Sequence, residues 1–324
     1  MDCDMPDTLL SINKIGKTFP VKSNLGRKLV ATAVDGVTLS VARGEAVGLV
    51  GESGSGKSTL GRLSLRLLEP TSGTVFFEGE DLALLGKQQL RSLRKNMQII
   101  FQDPFASLNP RMRISDIITE PLVIHGLAKS RELNERGAAL LEKVGLPVDA
   151  LRRYPHEFSG GQRQRIGIAR ALASGPSFIV ADEPVSALDV SVQAQIINLL
   201  EDLGADMKLS FLFIAHDLNI VRHFSDRVAV MYLGKIMEIA PAEAIYRNPS
   251  HPYTEALLAD IPVADPTVKK KHILLKGEIP SPTHIPPGCR LHTRCIYRFE
   301  PCDRIVPNTT DLGNGHFVDC HLRG

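Results

Sequence analysis

The sequence predicts an α/β fold: a mostly parallel core sheet with helices on both faces, an antiparallel β subdomain, an α-helical subdomain and a loop-rich C-terminal extension. Two observations carry this prediction. Short apolar runs at 47–50, 97–101, 177–181 and 211–214 alternate with helical patterns at 57–68, 162–173 and 191–204, which is how a parallel sheet reads in sequence. The first run also ends in Gly51-Glu52-Ser53-Gly54-Ser55-Gly56-Lys57-Ser58, a G-x-x-x-x-G-K-S loop set between a strand and a helix.

Taken in order, residues 9–41 alternate apolar and polar in short runs, with Gly36 and Arg43-Gly44 as turn signals, and predict antiparallel strands. Helix 57–68 closes at Pro70 and Gly73; a strand at 74–77 turns at Gly79, and 88–95 reads as a short polar helix. Strand 97–101 ends at Gln102-Asp103-Pro104. Residues 114–145 then show helical periodicity with Pro121, Gly126 and Gly145 as breaks, a small helical subdomain within about 103–172. Strand 177–181 ends in Asp182-Glu183-Pro184, and His216-Asp217 follow strand 211–214. Two short strands flank Gly234, and short helices fall at 243–247 and 253–258. From about 261 proline is dense (Pro262, Pro266, Pro280, Pro282, Pro286, Pro287), which predicts an extended tail over 261–324 and places the main domain at 8–260.

Composition narrows the function classes. At 324 residues the chain holds one large domain with an appendage or two ordinary ones, and 43% hydrophobic content supports a folded core. Lys and Arg number 38 against 36 Asp and Glu, a net charge of +2, so a nucleic-acid partner has no compositional support. No stretch approaches the ~20 apolar residues that span a bilayer. The opening Met-Asp-Cys-Asp-Met-Pro lacks the apolar segment of a secretory signal. The expectation is a soluble, intracellular polypeptide that reaches a membrane only through partners.

The loop at 51–58 is built to hold phosphate. Gly51, Gly54 and Gly56 let backbone N–H groups around Ser53 curl about an oxyanion, and the following helix start, through Thr59, adds its dipole. Lys57 reaches β- and γ-phosphates, and Ser58 is a Mg²⁺ ligand. Asp182, at the end of an apolar strand, is the matching Mg²⁺ carboxylate, and Glu183 beside it can take a proton from an attacking water. Ser159-Gly160-Gly161-Gln162 forms a second helix start suited to an anion. One nucleotide needs only one such start, unless the second faces the nucleotide of another subunit.

In this order the motifs resemble those of ABC-type ATPase domains, P-loop NTPases, over roughly residues 8–260: Walker A at 51–58, the Q-loop at Gln102, the signature at 158–162, Walker B at Asp182-Glu183, the D-loop at 186–189 and the H-loop at His216. The resemblance implies that Phe19 stacks on adenine, where the family often has Tyr. Gln102 approaches Mg²⁺ and the attacking water, Glu183 is the catalytic base, and His216 contacts the γ-phosphate. Asp189 crosses a dimer interface. Phe158 stands where the family usually has Leu, an apolar exchange at a packing position. A head-to-tail dimer is implied, with each ATP held between Walker A of one subunit and the signature of the other. That answers the puzzle of two anion-binding starts.

The tail narrows the resemblance. Arg247 to Leu258, Gly277 to Pro282 and Pro286-Pro287-Gly288-Cys289 resemble the C-terminal extension of bacterial dipeptide/oligopeptide importer ATPases, a group that includes nickel importers. Asp103 to Pro110 resembles the segment of that subfamily that meets permease subunits. The implied function is the ATP-hydrolysing subunit of a peptide importer at the cytoplasmic face of the bacterial inner membrane. Its partners would be a second ATPase subunit, identical or different, two transmembrane permease subunits and, indirectly, an extracytoplasmic peptide-binding protein. The same motor serving nickel, glutathione, opines or peptide antibiotics, and a soluble ABC ATPase without a transport role, are the alternatives.

Four of the five cysteines, Cys289, Cys295, Cys302 and Cys320, crowd into the tail as C-x5-C-x6-C-x17-C. Four thiolates in a loop-rich segment suit a [4Fe–4S] cluster or zinc. The spacing matches neither a ferredoxin run nor paired C-x2-C knuckles. Related importer subunits hold an iron–sulfur cluster here, which favours that reading over zinc and over free or disulfide-forming thiols. Cys3 reads as a plain thiol.

Overall fold

A computed structural model describes residues 7–22, 28–261 and 275–324. Pro262, Pro266 and Cys3 lie outside them. The strands and helices run in chain order as β1 (Thr8–Lys22), β2 (Lys28–Ala42), β3 (Ala46–Val50), α1 (Lys57–Ser64), β4 (Ser72–Phe77), β5 (Glu80–Asp81), α2 (Lys87–Leu93) and β6 (Met97–Ile100). There follow α3 (Ile114–Ile124), α4 (Leu133–Lys143), α5 (Gly160–Leu172), β7 (Phe178–Asp182), α6 (Val190–Met207) and β8 (Ser210–Ile214). The remainder comprises α7 (Leu218–Phe224), β9 (Arg227–Tyr232), β10 (Lys235–Pro241), α8 (Ala242–Arg247), α9 (Pro252–Ala259), β11 (Thr309–Asp311) and β12 (Phe317–Asp319).

These elements form two compact units, each assembled from separated stretches of chain. The first takes residues up to Leu9, Val41–Glu45 and Phe77–Ile214; the second takes Leu10–Ser40, Ala46–Phe76 and Ala215–Gly324.

In the first unit β6, β7 and β8 pair in parallel, with Ile99 opposite Val180 and Val180 opposite Leu212. Every residue of β7 and β8 is buried, because helices cover both faces of a parallel sheet. The helical subdomain packs α3 against α4 and α5. Pro121, read in the sequence as a break, instead lies inside α3, which runs on to Ile124. Pro121 supplies no N–H to the carbonyl four residues back, yet its own carbonyl accepts from His125 N–H at 3.1 Å, so the last turn closes. The real stops are Gly126 and Gly145, both at positive φ.

In the second unit β3 pairs with β9 in parallel, Val47 opposite Arg227, and β10 pairs antiparallel with β9. Helix α7 packs on β3 at Gly48, where an added Cβ would stand 2.3 Å from Val221 Cγ1. The tail is less loop-like than the sequence predicts. Strands β11 and β12 form a hairpin that extends the sheet from β10, with Glu238 opposite Val318.

The hairpin is anchored by a buried carboxylate. Glu238, fully inaccessible, accepts hydrogen bonds from Ser250 N–H at 2.7 Å and His251 N–H at 2.9 Å, and its Oε1 lies 2.7 Å from His316 Nε2. Most buried polar groups are hydrogen-bonded, and this carboxylate joins β10, the start of α9 and the hairpin at one point.

Candidate functional site

The glycine-rich loop at 51–58 belongs to the second unit. Buried β3 delivers Gly51, and Gly56 caps α1 with φ 106°, a backbone that L side chains rarely adopt. A Cβ at Gly56 would lie 2.2 Å from the Ala33 carbonyl oxygen, so the sequence needs glycine here for both φ and space. Lys57 is buried, and its ammonium donates to the Gly51 and Glu52 carbonyls at 2.8 and 3.1 Å, folding the loop around its own lysine. Ser53 and Gly54 stand exposed at the tip, Ser58 and Thr59 half-buried on the first turn of α1.

Two residues that the sequence reading does not single out as functional also hold this loop. The Glu52 N–H donates to Tyr253 Oη at 2.8 Å, and the Glu52 carboxylate receives a two-point fork from Arg294, at 2.7 and 3.0 Å. Arg294 follows the tail's first cysteine by five positions. No spacing rule connects it to residue 52, so only the folded chain reveals the pair.

Phe19, near the end of β1, is half-buried with Lys17 Nζ 5.2 Å from its ring centroid, leaving an aromatic face with a cation beside it. His216 is exposed immediately after β8; the preceding Ala215 is held by its N–H to the Leu49 carbonyl at 3.2 Å.

The first unit holds the acidic pair and the Ser-Gly-Gly helix start. Asp182 closes β7 and is buried. Glu183 follows with φ 47°, left-handed backbone in a non-glycine residue, a conformation it shares with several others among the described residues, Arg66 and Leu233 included. Its N–H donates to the Ile214 carbonyl at 3.0 Å, and its carbonyl accepts from Ser186 Oγ at 3.1 Å. Gln102 Nε2 donates to Glu183 Oε2 at 2.8 Å, so the amide and the carboxylate are in direct contact.

Ser159 is the N-cap of α5. Its Oγ accepts from Gln162 N–H at 3.4 Å while Gln162 Oε1 accepts from Ser159 N–H at 3.0 Å, a reciprocal capping box. The exposed serine and the glycines after it keep the α5 N-terminus open. Gly161 also has a packing reason: a Cβ there would stand 2.4 Å from Val192 Cγ1 of α6. Asp189, exposed, caps α6 through its backbone carbonyl, and Gln193 ties the turn before it to the Val185 and Leu188 carbonyls.

The four tail cysteines line one small cavity together with His251, Leu291, His292, Tyr297 and His321. They carry no disulfide. Burial pushes the Cys289 thiol up to about 11, and raises Cys295 and Cys320 in the same direction; each also feels charge from other cysteines of the group. His251 is fully buried and burial pushes it down to about 3, so it is neutral at pH 7. Its Nδ1 accepts from Tyr253 N–H at 3.0 Å, which leaves the proton on Nε2, and that buried nitrogen has no partner among the described residues. Among those residues no three His, Cys, Asp or Glu converge on a single-ion position. Thiols are the ligands an iron–sulfur group takes, and this cavity gathers four of them.

Comparison with known proteins bears on the whole chain. Residues 34–186 match the ABC transporter family and residues 237–302 the oligopeptide/dipeptide transporter C-terminal region. The chain is similar to oligopeptide transport ATP-binding protein AppF of Bacillus subtilis, 53% identical over 321 residues and 98% of either chain. It is 52% identical to a putative peptide import ATP-binding protein of Brucella ovis, over 96% of this chain and 97% of that one. An ATP-binding cassette solved as a dimer in a post-hydrolysis state with ADP and phosphate shares a TM-score of 0.65 at 28% identity, over 72% of this chain and 99% of that one. No helix among the described residues is long and apolar enough to cross a membrane. The chain therefore belongs to the ATP-binding proteins of the ABC transporters, in the group that carries the oligopeptide/dipeptide transporter C-terminal region.

Proposed function

We propose that the chain is the ATP-hydrolysing subunit of an ABC importer for di- and oligopeptides. The observation that carries this is full-length similarity to peptide-import ATP-binding proteins, tail included. The loop at 51–58 binds the triphosphate, Lys57 countering charge on the β- and γ-phosphates, and Phe19 stacks on the adenine. Mg²⁺ takes oxygen ligands, and the Ser58 hydroxyl, the Asp182 carboxylate and the Gln102 carboxamide oxygen offer them. When bound, the metal neutralises charge that develops on the phosphoryl oxygens.

Glu183 accepts the proton of the attacking water. The Gln102 hydrogen bond aims its carboxylate, and the left-handed φ fixes where the side chain leaves the backbone. His216 contacts the γ-phosphate. Ser159, Gly160, Gly161 and Gln162 present the α5 N-terminus to the nucleotide of a second ATPase subunit, and Asp189 crosses to that subunit. Support for a dimer comes from the dimeric cassette structures. Two transmembrane permease subunits, fed by an extracytoplasmic peptide-binding protein, complete the importer at the cytoplasmic face of the inner membrane. Phe105, 57% exposed beneath the Arg163 guanidinium at 4.1 Å, is an apolar anchor for the permease contact.

Reconstitution of the chain with its permeases in lipid vesicles tests this. Peptide-loaded binding protein is expected to stimulate ATP hydrolysis severalfold. Stimulation by nickel or an opine instead would overturn the peptide assignment, and no association with any permease would overturn the importer role.

The cysteine cavity would be held by a [4Fe–4S] cluster bound through Cys289, Cys295, Cys302 and Cys320. Its chemistry is structural cross-linking of the tail. Anaerobically purified protein is expected to contain iron and acid-labile sulfide in equal amounts, and Cys302→Ser to lose most of both. Stoichiometric zinc, or no metal, would overturn the assignment.

A further inference from the structure

Glu52 is an awkward residue for a loop that receives a triphosphate, because an uncompensated carboxylate there repels the ligand. The structure surrounds it on three sides. Its carbonyl accepts from Lys57, its N–H donates to Tyr253, and its carboxylate is engaged by both terminal nitrogens of Arg294. The Arg294 side chain is 8% exposed and that of Glu52 24%. The guanidinium is held in place independently, 3.4 Å from Tyr232 Oη and 5.8 Å from the centre of that ring, and Tyr232 in turn packs against Tyr253 with ring centroids 4.7 Å apart. Arg294 lies on the turn between Cys289 and Cys295, whose Arg290 also reaches back to the Leu233 carbonyl and Asp35.

We propose that Arg294 is a positioning residue of the ATP site: the C-terminal extension lends the phosphate loop the positive charge that cancels Glu52. A bidentate guanidinium–carboxylate pair with little solvent around it is the geometry in which such compensation is strongest. Removing Arg294 leaves a carboxylate on the loop that Lys57 must offset before it can meet phosphate. The nucleotide site thus depends on the tail through Glu52. This inference rests on the reading of Gly51–Ser58 as an ATP loop.

A charge-rescue cycle on the full chain tests it, with a fluorescent ATP analogue titrated at low salt. Arg294→Ala is expected to weaken binding about tenfold, a deficit that shrinks at high salt, as for a screened charge. Arg294→Lys keeps the charge and is expected to stay within about threefold of wild type. The decisive variant is Glu52→Gln combined with Arg294→Ala, which is expected to bind within about threefold of Glu52→Gln alone. A double variant as weak as Arg294→Ala, or an Arg294→Ala that binds normally, overturns the proposal. Should Arg294→Ala not fold, Arg294→Gln with and without Glu52→Gln gives the same comparison. Wild-type binding by Lys57→Ala would instead remove the ATP-loop reading beneath it, so the two failures are distinguishable.

Discussion

Exchange of Glu183 for glutamine is expected to lower the ATP turnover rate by about 10³-fold while nucleotide binding persists. The substitution changes little but the capacity to take a proton. Glutamine has nearly the same shape, its amide oxygen can still accept the 2.8 Å hydrogen bond from Gln102, and the φ of 47° is borne equally well by either side chain. Neighbouring Asp182 and the phosphate loop are untouched, so ATP accumulates in a bound, unhydrolysed form. Steady-state phosphate release measured beside equilibrium ATP binding separates the two effects. Turnover within about threefold of wild type would remove Glu183 from the role of base.

The largest effect on stability is expected at Glu238. Glu238→Ala strands the Ser250 and His251 N–H groups and His316 Nε2, all formerly satisfied by one fully buried carboxylate. Each buried donor left without a partner costs about 1–3 kcal/mol, and the truncation adds a cavity, so a loss of about 3–5 kcal/mol is expected. For a chain of this length that corresponds to a fall in Tm on the order of 5 °C. Differential scanning calorimetry checks it, and a shift under about 1 °C would mean the hairpin does not depend on this anchor. Since the carboxylate also holds the start of α9, which carries Tyr253, ATP binding is expected to weaken in the same variant.

Much of this was legible in the sequence because the core strands announce themselves. Parallel strands covered on both faces must be apolar throughout, and Phe178–Asp182 and Ser210–Ile214 fall on runs visible in the primary structure. The glycine-rich loop was equally readable as a strand-to-helix turn, since such turns depend on local residue order. Helix α7 escaped, being only Leu218–Phe224; its one advance sign is Gly48, small because Val221 presses on it, and that sign lies 173 positions away. The β11–β12 hairpin escaped for a related reason. Its strands are three residues each and become strands only by pairing with β10. The contact between Gln102 and Glu183 could be anticipated from the roles their motifs imply, whereas the hold of Arg294 on Glu52 could not, because nothing local to either residue encodes it.

The threading of the two units has a consequence for biosynthesis. The first unit has all its residues once Ile214 has been made, but β3 of the second must wait for β9, its parallel neighbour some 180 positions downstream. During translation β3 therefore waits for its β9 partner through most of the ribosome's journey, and long-range parallel pairing is slow even when both partners are present. Nascent chains cut short before Arg227 would leave the edge of β3 that pairs with β9 open, a natural target for chaperones, until β9 has emerged.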